Sequence, residues 1–298
     1  MAEQKTLDAV PLPGQGNIRI NNAPAPWVAP VLRTVFILVL LVLWDVAVAI
    51  SNLPPYLMPP LLGPGFVEDG SGAQAFRLVD PNSVVAAFHR IIVDGSLRAA
   101  IFSSMARMAV GYSISVVGGI ALGVLIARNW YVRQTVGSLV LSLQSLPSIC
   151  WLPFALIWVG INENAIILVI VLGALFAISI STEGAIRNVP PIYTKVGRVL
   201  GAKRFTLAKD ILFFAALPEL LGGLKVGWTF AWRALMAAEL IRADVPGIGA
   251  QLQVGRDFND LAMMFASVLT ILAIGLLVDL LAFGTAERVV RRRWGLEK

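Results

Sequence analysis

The stretch EGAIRNVPPIYTKVGRVLGAKRFTLAKDIL, residues Glu183–Leu212, is the most basic part of the chain and decides how the rest is interpreted. It carries six Lys or Arg residues and lies between two apolar runs, 164–182 and 215–241. An apolar run of about 20 residues is long enough to span a bilayer. The pattern therefore predicts a basic, helix-forming loop between two membrane spans. Such a loop offers a surface to which a soluble partner protein can bind.

Composition indicates an integral membrane protein. Of the 298 residues, 57% are hydrophobic and 14% are charged, whereas soluble domains have about 45–50% apolar and about 25% charged residues. The single Cys and single His argue against a disulfide framework, a His-based metal site and an imidazole proton relay. The basic residues behind the net charge of +6 lie beside apolar spans, which favours a membrane surface over nucleic acid as the partner.

Six segments are apolar and long enough to span a bilayer. They are residues 29–50, 98–127, 134–158, 164–182, 215–241 and 262–286. The sequence therefore predicts an all-α, polytopic membrane protein with about six transmembrane helices. In the second span, Gly119 and Gly123 have the spacing that lets two helices approach closely. A chance spacing in a chain with 26 glycines is the alternative.

The distribution of basic residues predicts the orientation. With the N-terminus inside, sixteen of the 24 Lys and Arg residues lie in cytosolic segments and four in external ones. The cytosolic segments are 1–33, 128–133, 183–213 and 287–298, and the external segments are 51–96, 159–163 and 242–261. This positive-inside excess predicts that both termini are cytosolic.

The same pattern predicts the domain layout. We expect residues 1–26 to form a mobile cytosolic tail and residues 27–298 to form a single transmembrane domain. Its external loop, 51–96, is expected to carry a short helix near Ser83–Val93, and its cytosolic loop is 183–213.

Signatures of catalysis and of energy coupling are missing from the sequence. It contains no G-x-x-x-x-G-K-[ST] phosphate loop, no H-E-x-x-H and no G-x-S-x-G. The ionisable residues within the spans are few, namely Asp45, Arg107, Lys225, Arg233, Glu239 and Asp279. We therefore expect a chain that is not an enzyme, with no catalytic residue, metal site or cofactor of its own, driven by an external ATPase. A secondary transporter or channel that works without an ATPase partner is the alternative.

The basic loop resembles the cytosolic motif E-A-A-x3-G-x9-I-x-L-P of the inner-membrane permease subunits of ABC importers. Gly201 matches the motif glycine, and Ile211 matches the isoleucine. Lys195-Val196-Gly197 stand where E-A-A would be, and Phe213-Phe214 replace Leu-Pro. The pair Leu217-Pro218 follows four residues later.

Further segments are similar to the nitrate/sulfonate/taurine branch of this family. They are Ser104-x-x-Arg107-x-x-x-Gly111, Leu143-Gln-Ser-Leu-Pro147, Trp151-Leu-Pro153, Ile157-Trp-Val-Gly160, the run from Gly227 to Glu239, and Gly247-Ile-Gly249. The resemblance covers about residues 30–295 and implies the fold of a type I ABC importer permease in a bacterial inner membrane. The transported solute that it implies is a small anion such as a sulfonate, taurine or nitrate.

The resemblance also implies the partners of the chain. They are two copies of an ATP-binding subunit, which carry ATP and Mg²⁺, a second permease copy as a homodimer partner, an external solute-binding protein and membrane lipid.

The residues of the loop suit a docking role. Gly197 and Gly201 allow tight turns or close backbone approach, and Ala202–Phe205 offers an aromatic anchor with two cations. The predicted ATPase-coupling residues are Lys195, Gly197, Arg198, Gly201, Ala202, Lys203, Arg204 and Phe205. The alternative is that the basic residues hold the loop on anionic lipid.

Two places within the spans are candidates for the translocation pathway. Pro147 breaks a helix, and broken helix at membrane depth is tolerated where it lines a cavity, although an ordinary kink packed by Trp151 is the alternative. Arg233 is the deepest charge and either meets a passing anion or forms a fixed pair with Asp279 or Glu239. The predicted pathway residues are Gln144, Ser145, Ser148, Trp151, Arg233 and Glu239.

Other charged residues of the spans are given structural roles. Glu239 either lines the external gate or pairs structurally, for example with Arg242. Asp45 and Arg107 are placed to pair near the external face without an assigned function. Lys225 lies close enough to the cytosolic side for its ammonium group to reach water.

Overall fold

The computed structural model describes residues 28–51, 80–242 and 244–293. The predictions for the tail 1–26 and for residues 52–79 of the external loop lie outside these residues. The described part consists of helices joined by short turns, with no β-strand. It divides into two compact units, and helix α1 (Val28–Ser51) is the described element of the first.

The second unit contains four helices that are long and apolar enough to cross a membrane. They are α3 (Ser96–Arg128), α6 (Glu163–Arg187), α8 (Leu207–Ile241) and α10 (Leu261–Arg292). The shorter helices are α2 (Pro81–Val93), α4 (Trp130–Gln144), α5 (Ser148–Val159), α7 (Pro191–Val199) and α9 (Ile248–Asp257). The prediction of an all-α, multi-pass membrane protein is confirmed.

The predicted span 134–158 is not a straight helix. It is divided into α4 and α5, whose axes differ in direction by 99°. Pro147 is extended, with φ −55° and ψ 130°, and it has no N–H with which to continue the helix. The pair therefore forms at most one broken span. The first predicted span, 29–50, lies in α1, whose apolar stretch Thr34–Val46 is shorter than the other spans.

A seam of small residues joins α3 to α6. Gly111, Gly119 and Gly123 face Ile170, Ile178 and Thr182 of α6. A Cβ atom on Gly123 would lie 2.5 Å from the Ser179 carbonyl oxygen. The close approach suggested by the G-x-x-x-G spacing is therefore real, and it places α6 at the centre of the core between α3 and α8.

We expect Gly123→Ala to destabilise the bundle. The added methyl group meets backbone, which cannot rotate away, and such overpacking costs about 1–3 kcal/mol. Gly118→Ala is the matched control because its Cβ would meet only the end of the Leu175 side chain, 3.2 Å away. Thermal unfolding in detergent should show a lower midpoint for Gly123→Ala alone. Equal midpoints for the two variants would contradict the tight seam.

Candidate functional site

The basic loop folds into α7, whose two ends are fixed by residues suited to them. Pro191 occupies the first turn, where its missing N–H leaves no hydrogen bond unmade. At the other end Gly201 adopts a left-handed conformation, with φ +80°. The Gly201 N–H donates to the Arg198 carbonyl, and the Ala202 N–H donates to the Gly197 carbonyl. These two bonds form the Schellman motif that ends many helices, so the motif glycine has a conformational role.

The inward side of α7 packs against the start of α8. Gly197 is buried, and a Cβ on it would lie 2.5 Å from the Leu207 side chain and 2.6 Å from that of Ile211. The isoleucine of the sequence motif is thus a packing partner of this loop. α7 is therefore in direct contact with the first turns of α8.

The outward side of α7 is apolar. We name it the α7 face, and it comprises Ile192, Tyr193, Val196, Val199 and Leu200. Val199 is 87% exposed and Leu200 is 77% exposed. A contiguous exposed apolar surface on a folded protein marks an interaction site. Val199 and Leu200 were not among the predicted coupling residues, because that prediction was centred on the basic residues of the loop.

The predicted coupling residues surround this face or support it. Lys195, Arg198 and Lys203 are exposed, so they form a basic rim. Gly197 and Gly201 shape the helix, and Ala202 is half-buried. The side chain of Arg204 lies outside the described residues. Phe205 is 77% exposed and belongs to a separate pocket that it shares with Arg128.

The predicted pathway residues near the helix break sit against the middle of the bundle. Ser145 is exposed, whereas Gln144, Ser148 and Trp151 are half-buried. A Cβ on Gly173 of α6 would lie 3.4 Å from the Ser148 Cβ and 2.8 Å from the Ala234 Cβ. The break therefore lies beside the turn of α8 that carries Arg233.

Arg233 is exposed on α8, eight residues before the last residue of this helix, Ile241. The predicted fixed pair with Asp279 or Glu239 is wrong because both carboxylates bind other cations. Lys225 Nζ lies 2.7 Å from Asp279 Oδ1, so Lys225 is paired within the bundle. Among the described residues Arg233 has no ion-pair partner. An exposed charge on a membrane-spanning helix is expected to face a cavity or a neighbouring protein surface.

Glu239 is completely buried, so it contacts no passing solute in this conformation. Its carboxylate accepts hydrogen bonds from Arg107 Nη1 at 2.8 Å, Ser104 Oγ at 2.8 Å and the Gly249 N–H at 3.1 Å. The predicted pairing with Arg242 is wrong. We name this cluster the Glu239 network.

Arg107 connects the buried Glu239 network to residues at the protein surface. It is 3% exposed, and it also donates to Glu163 Oε1 at 2.9 Å and to the Pro246 carbonyl at 2.8 Å. These contacts tie α3, α6 and α8 to the loop before α9.

Arg242 forms a second ion pair at the same end of the bundle. Its guanidinium group donates two hydrogen bonds to Asp244, at 2.7 Å and 2.6 Å. These bonds lower the pKa of the Asp244 carboxyl group, so the pair is charged at neutral pH.

The sequence-based prediction missed Ser104, Arg107 and Glu163 as members of one site. One signal was available, since Ser104 and Arg107 are three residues apart and share a helical face. Across the described residues, no group of three or more His, Cys, Asp or Glu side chains is placed to hold a metal ion.

A family model matches the chain. The model, described as a binding-protein-dependent transport system inner membrane component, matches residues 119–294. This range contains the helix break, α7 and the Arg233 turn, and it includes all of α10.

Several curated relatives are similar in sequence. The nitrate import permease protein NrtB of Synechocystis sp. is 33% identical over 186 residues, which cover 62% of this chain and 67% of the relative. The bicarbonate transport system permease protein CmpB of Synechococcus elongatus is 31% identical over 177 residues, covering 59% of this chain and 64% of the relative. A probable ABC transporter permease protein of Brucella melitensis is 30% identical over 219 residues, covering 73% and 88%.

A solved structure has the same fold. A chain of the MetNI methionine ABC transporter, in an inward-facing conformation, matches with a TM-score of 0.55 and 21% identity. The match covers 67% of this chain and 97% of that chain. Together with the family match, these findings show that the chain belongs to the family of binding-protein-dependent transport system inner membrane components.

Proposed function

We propose that the chain is the permease subunit of an ATP-driven importer and that the α7 face is its docking surface for a separate ATP-binding subunit. The observation that carries the proposal is the exposed apolar surface of α7, held by the buried Gly197 and the left-handed Gly201. An apolar centre with a charged rim is the composition of a protein interface. A loop held on anionic lipid would also bury such a face, in the bilayer interface, and loss of a copurifying ATPase from a variant of the α7 face separates the two.

The assembly that we propose contains two permease copies, two ATP-binding subunits and an external solute-binding protein. ATP and Mg²⁺ would be held by the ATP-binding subunits. ATP binding would draw the two α7 helices together, and hydrolysis would release them. Because α7 packs on Leu207 and Ile211 at the start of α8, its movement would turn α8 and reorient the pathway between the two faces of the membrane.

The transported solute is proposed to be a small anion such as nitrate, bicarbonate, taurine or another sulfonate. Arg233 supplies an exposed positive charge within the membrane span, next to the break between α4 and α5. The relatives named for nitrate and bicarbonate import support an anion. Two copies of Arg233 facing one central path would attract an anion and repel a cation.

We expect Arg233→Gln to reduce uptake of the anion about tenfold or more. This factor corresponds to the binding free energy that one charge-assisted hydrogen bond contributes. Arg233→Lys should retain part of the uptake because the charge remains. The measurement is uptake of labelled nitrate, bicarbonate and taurine by cells whose own copy of the chain is replaced by each variant. Lys225→Gln is the matched control, since it removes a cation from the same helix that already has a partner.

The result also separates the proposal from a secondary transporter. Uptake that stops when cellular ATP is depleted with the ion gradients held constant supports the importer. Uptake that follows an ion gradient without ATP would contradict it. Full activity of Arg233→Gln would remove Arg233 from the pathway and leave the docking proposal standing.

A further inference from the structure

A pocket lies where the spans α3 and α8 meet the surface, near α7. Its volume is about 480 Å³, and its lining residues are Arg128, Phe205, Ala208, Lys209, Phe213 and Phe214. Arg128 is the last residue of α3, whereas Phe213 and Phe214 belong to the apolar part of α8. The pocket therefore crosses from the membrane boundary into the level of the spans.

A π-helical segment contributes to the wall of this pocket. Residues Leu207–Leu212 form a π-helical segment before the regular α-helix starts at Phe213. The wider turn carries Ala208 and Lys209 on the pocket side, and single π-helical turns are frequent at functional sites. Ala208, which has a small side chain, also lines the pocket.

The charge in the pocket is positive and unneutralised. Arg128 and Lys209 are exposed, and no acidic side chain is among the lining residues. Within the described part of the chain, neither cation forms a salt bridge. Arg187 and Arg291, by contrast, each pair with a glutamate one turn away.

The apolar part of the pocket selects among anions. Phe213 and Phe214 meet edge to face, with centroids 5.5 Å apart, and both rings are about half exposed. A free inorganic anion would bind the cations and make no use of these rings. A ligand with a phosphate group and hydrocarbon chains would use both features.

We propose that this pocket binds the phosphate group of an anionic phospholipid, with Arg128 and Lys209 on the head group and the start of an acyl chain along Phe213 and Phe214. The bound lipid would touch the first turns of α8, which also support α7. The inference depends on a membrane-embedded chain and not on the identity of the transported solute.

The test uses the full chain, purified from its membrane together with its bound subunits, and native mass spectrometry with added phosphatidylglycerol or phosphatidylcholine. We expect phosphatidylglycerol to bind more tightly than phosphatidylcholine. The double variant Arg128→Gln/Lys209→Gln should lose at least about tenfold in phosphatidylglycerol affinity, as expected for two cations near a head group. Both side chains are exposed, so the variant should fold.

The matched control is Arg288→Gln/Arg291→Gln, which removes the same charge from the end of α10. These arginines already bind the Gly284 carbonyl and Glu287, so this variant should bind phosphatidylglycerol like the wild type. Equal affinity of the two double variants would overturn the proposal. Displacement of the lipid by millimolar inorganic phosphate would overturn it in favour of a free anion. Phosphatidylglycerol binding that is seen only after the bound subunits are removed would overturn it in favour of a protein contact.

Discussion

Replacing Leu200 by aspartate is expected to abolish ATP-driven uptake while leaving the chain inserted in the membrane. Leu200 is 77% exposed, so the substitution removes no packing from the bundle. In the complex, the carboxylate would be buried in the apolar centre of the interface. A loss of about 2 kcal/mol or more is typical of a central interface residue and weakens binding about 30-fold or more.

The measurement is solute uptake by cells that carry the variant, with the amount of chain in the membrane fraction determined in parallel. Val289→Asp is the matched control, because Val289 is an exposed apolar residue of the last helix that lies outside the α7 face. It should retain uptake. Normal uptake by Leu200→Asp would show that the α7 face is not the coupling surface.

Replacing Glu239 by alanine is expected to produce the largest loss of stability among single substitutions at the charged residues. Arg107 is 3% exposed and would lose its buried counter-ion, and the Gly249 N–H would lose its acceptor. Breaking a buried ion pair by removing one partner costs about 3–5 kcal/mol. Thermal unfolding in detergent should therefore show a much lower midpoint and a low yield of folded protein.

Glu163→Ala is the matched control for this substitution. Glu163 also pairs with Arg107, but its side chain is 59% exposed, and exposed pairs contribute about 0–1 kcal/mol. The double variant Glu239→Leu/Arg107→Met should be more stable than Glu239→Ala, since it leaves no unpaired buried charge. A midpoint for Glu239→Ala equal to that of Glu163→Ala would contradict the importance of the Glu239 network.

The positions of the straight spans could be predicted from the sequence because hydropathy records which segments leave water. The predicted span 164–182 lies inside α6, and the predicted span 98–127 nearly coincides with α3. The short helix predicted near Ser83–Val93 is also present, as α2. In each case a continuous apolar or amphipathic pattern belongs to one uninterrupted helix.

The break in the helix at Pro147 could be predicted from the sequence, but the change in helix direction there could not. A proline in a span marks the site of a break, and the break is there. The angle of 99° between α4 and α5 depends on how Ser148 packs between α6 and α8. Hydropathy contains no information about that packing, so residues 134–158 could be mistaken for a straight span.

Partners of buried charges were the least predictable feature. Arg107 and Glu239 are 132 residues apart, and only the packing of α3 against α6 and α8 brings them together. Sequence proximity suggested Arg242 for Glu239, but Arg242 is satisfied by Asp244. A count of charges also drew attention to Lys195 and Arg198 on α7, whereas the exposed Val199 and Leu200 form the centre of its surface.

The most direct test of the central proposal is purification of the tagged chain from its native membrane in a gentle detergent, with the copurifying proteins identified and quantified by mass spectrometry. We predict a P-loop ATPase at one copy per permease chain, which is lost from the Leu200→Asp variant and retained by Val289→Asp. A chain that purifies without an ATPase, under conditions in which other membrane complexes of the same cells remain intact, would contradict the proposal and favour a transporter that works alone.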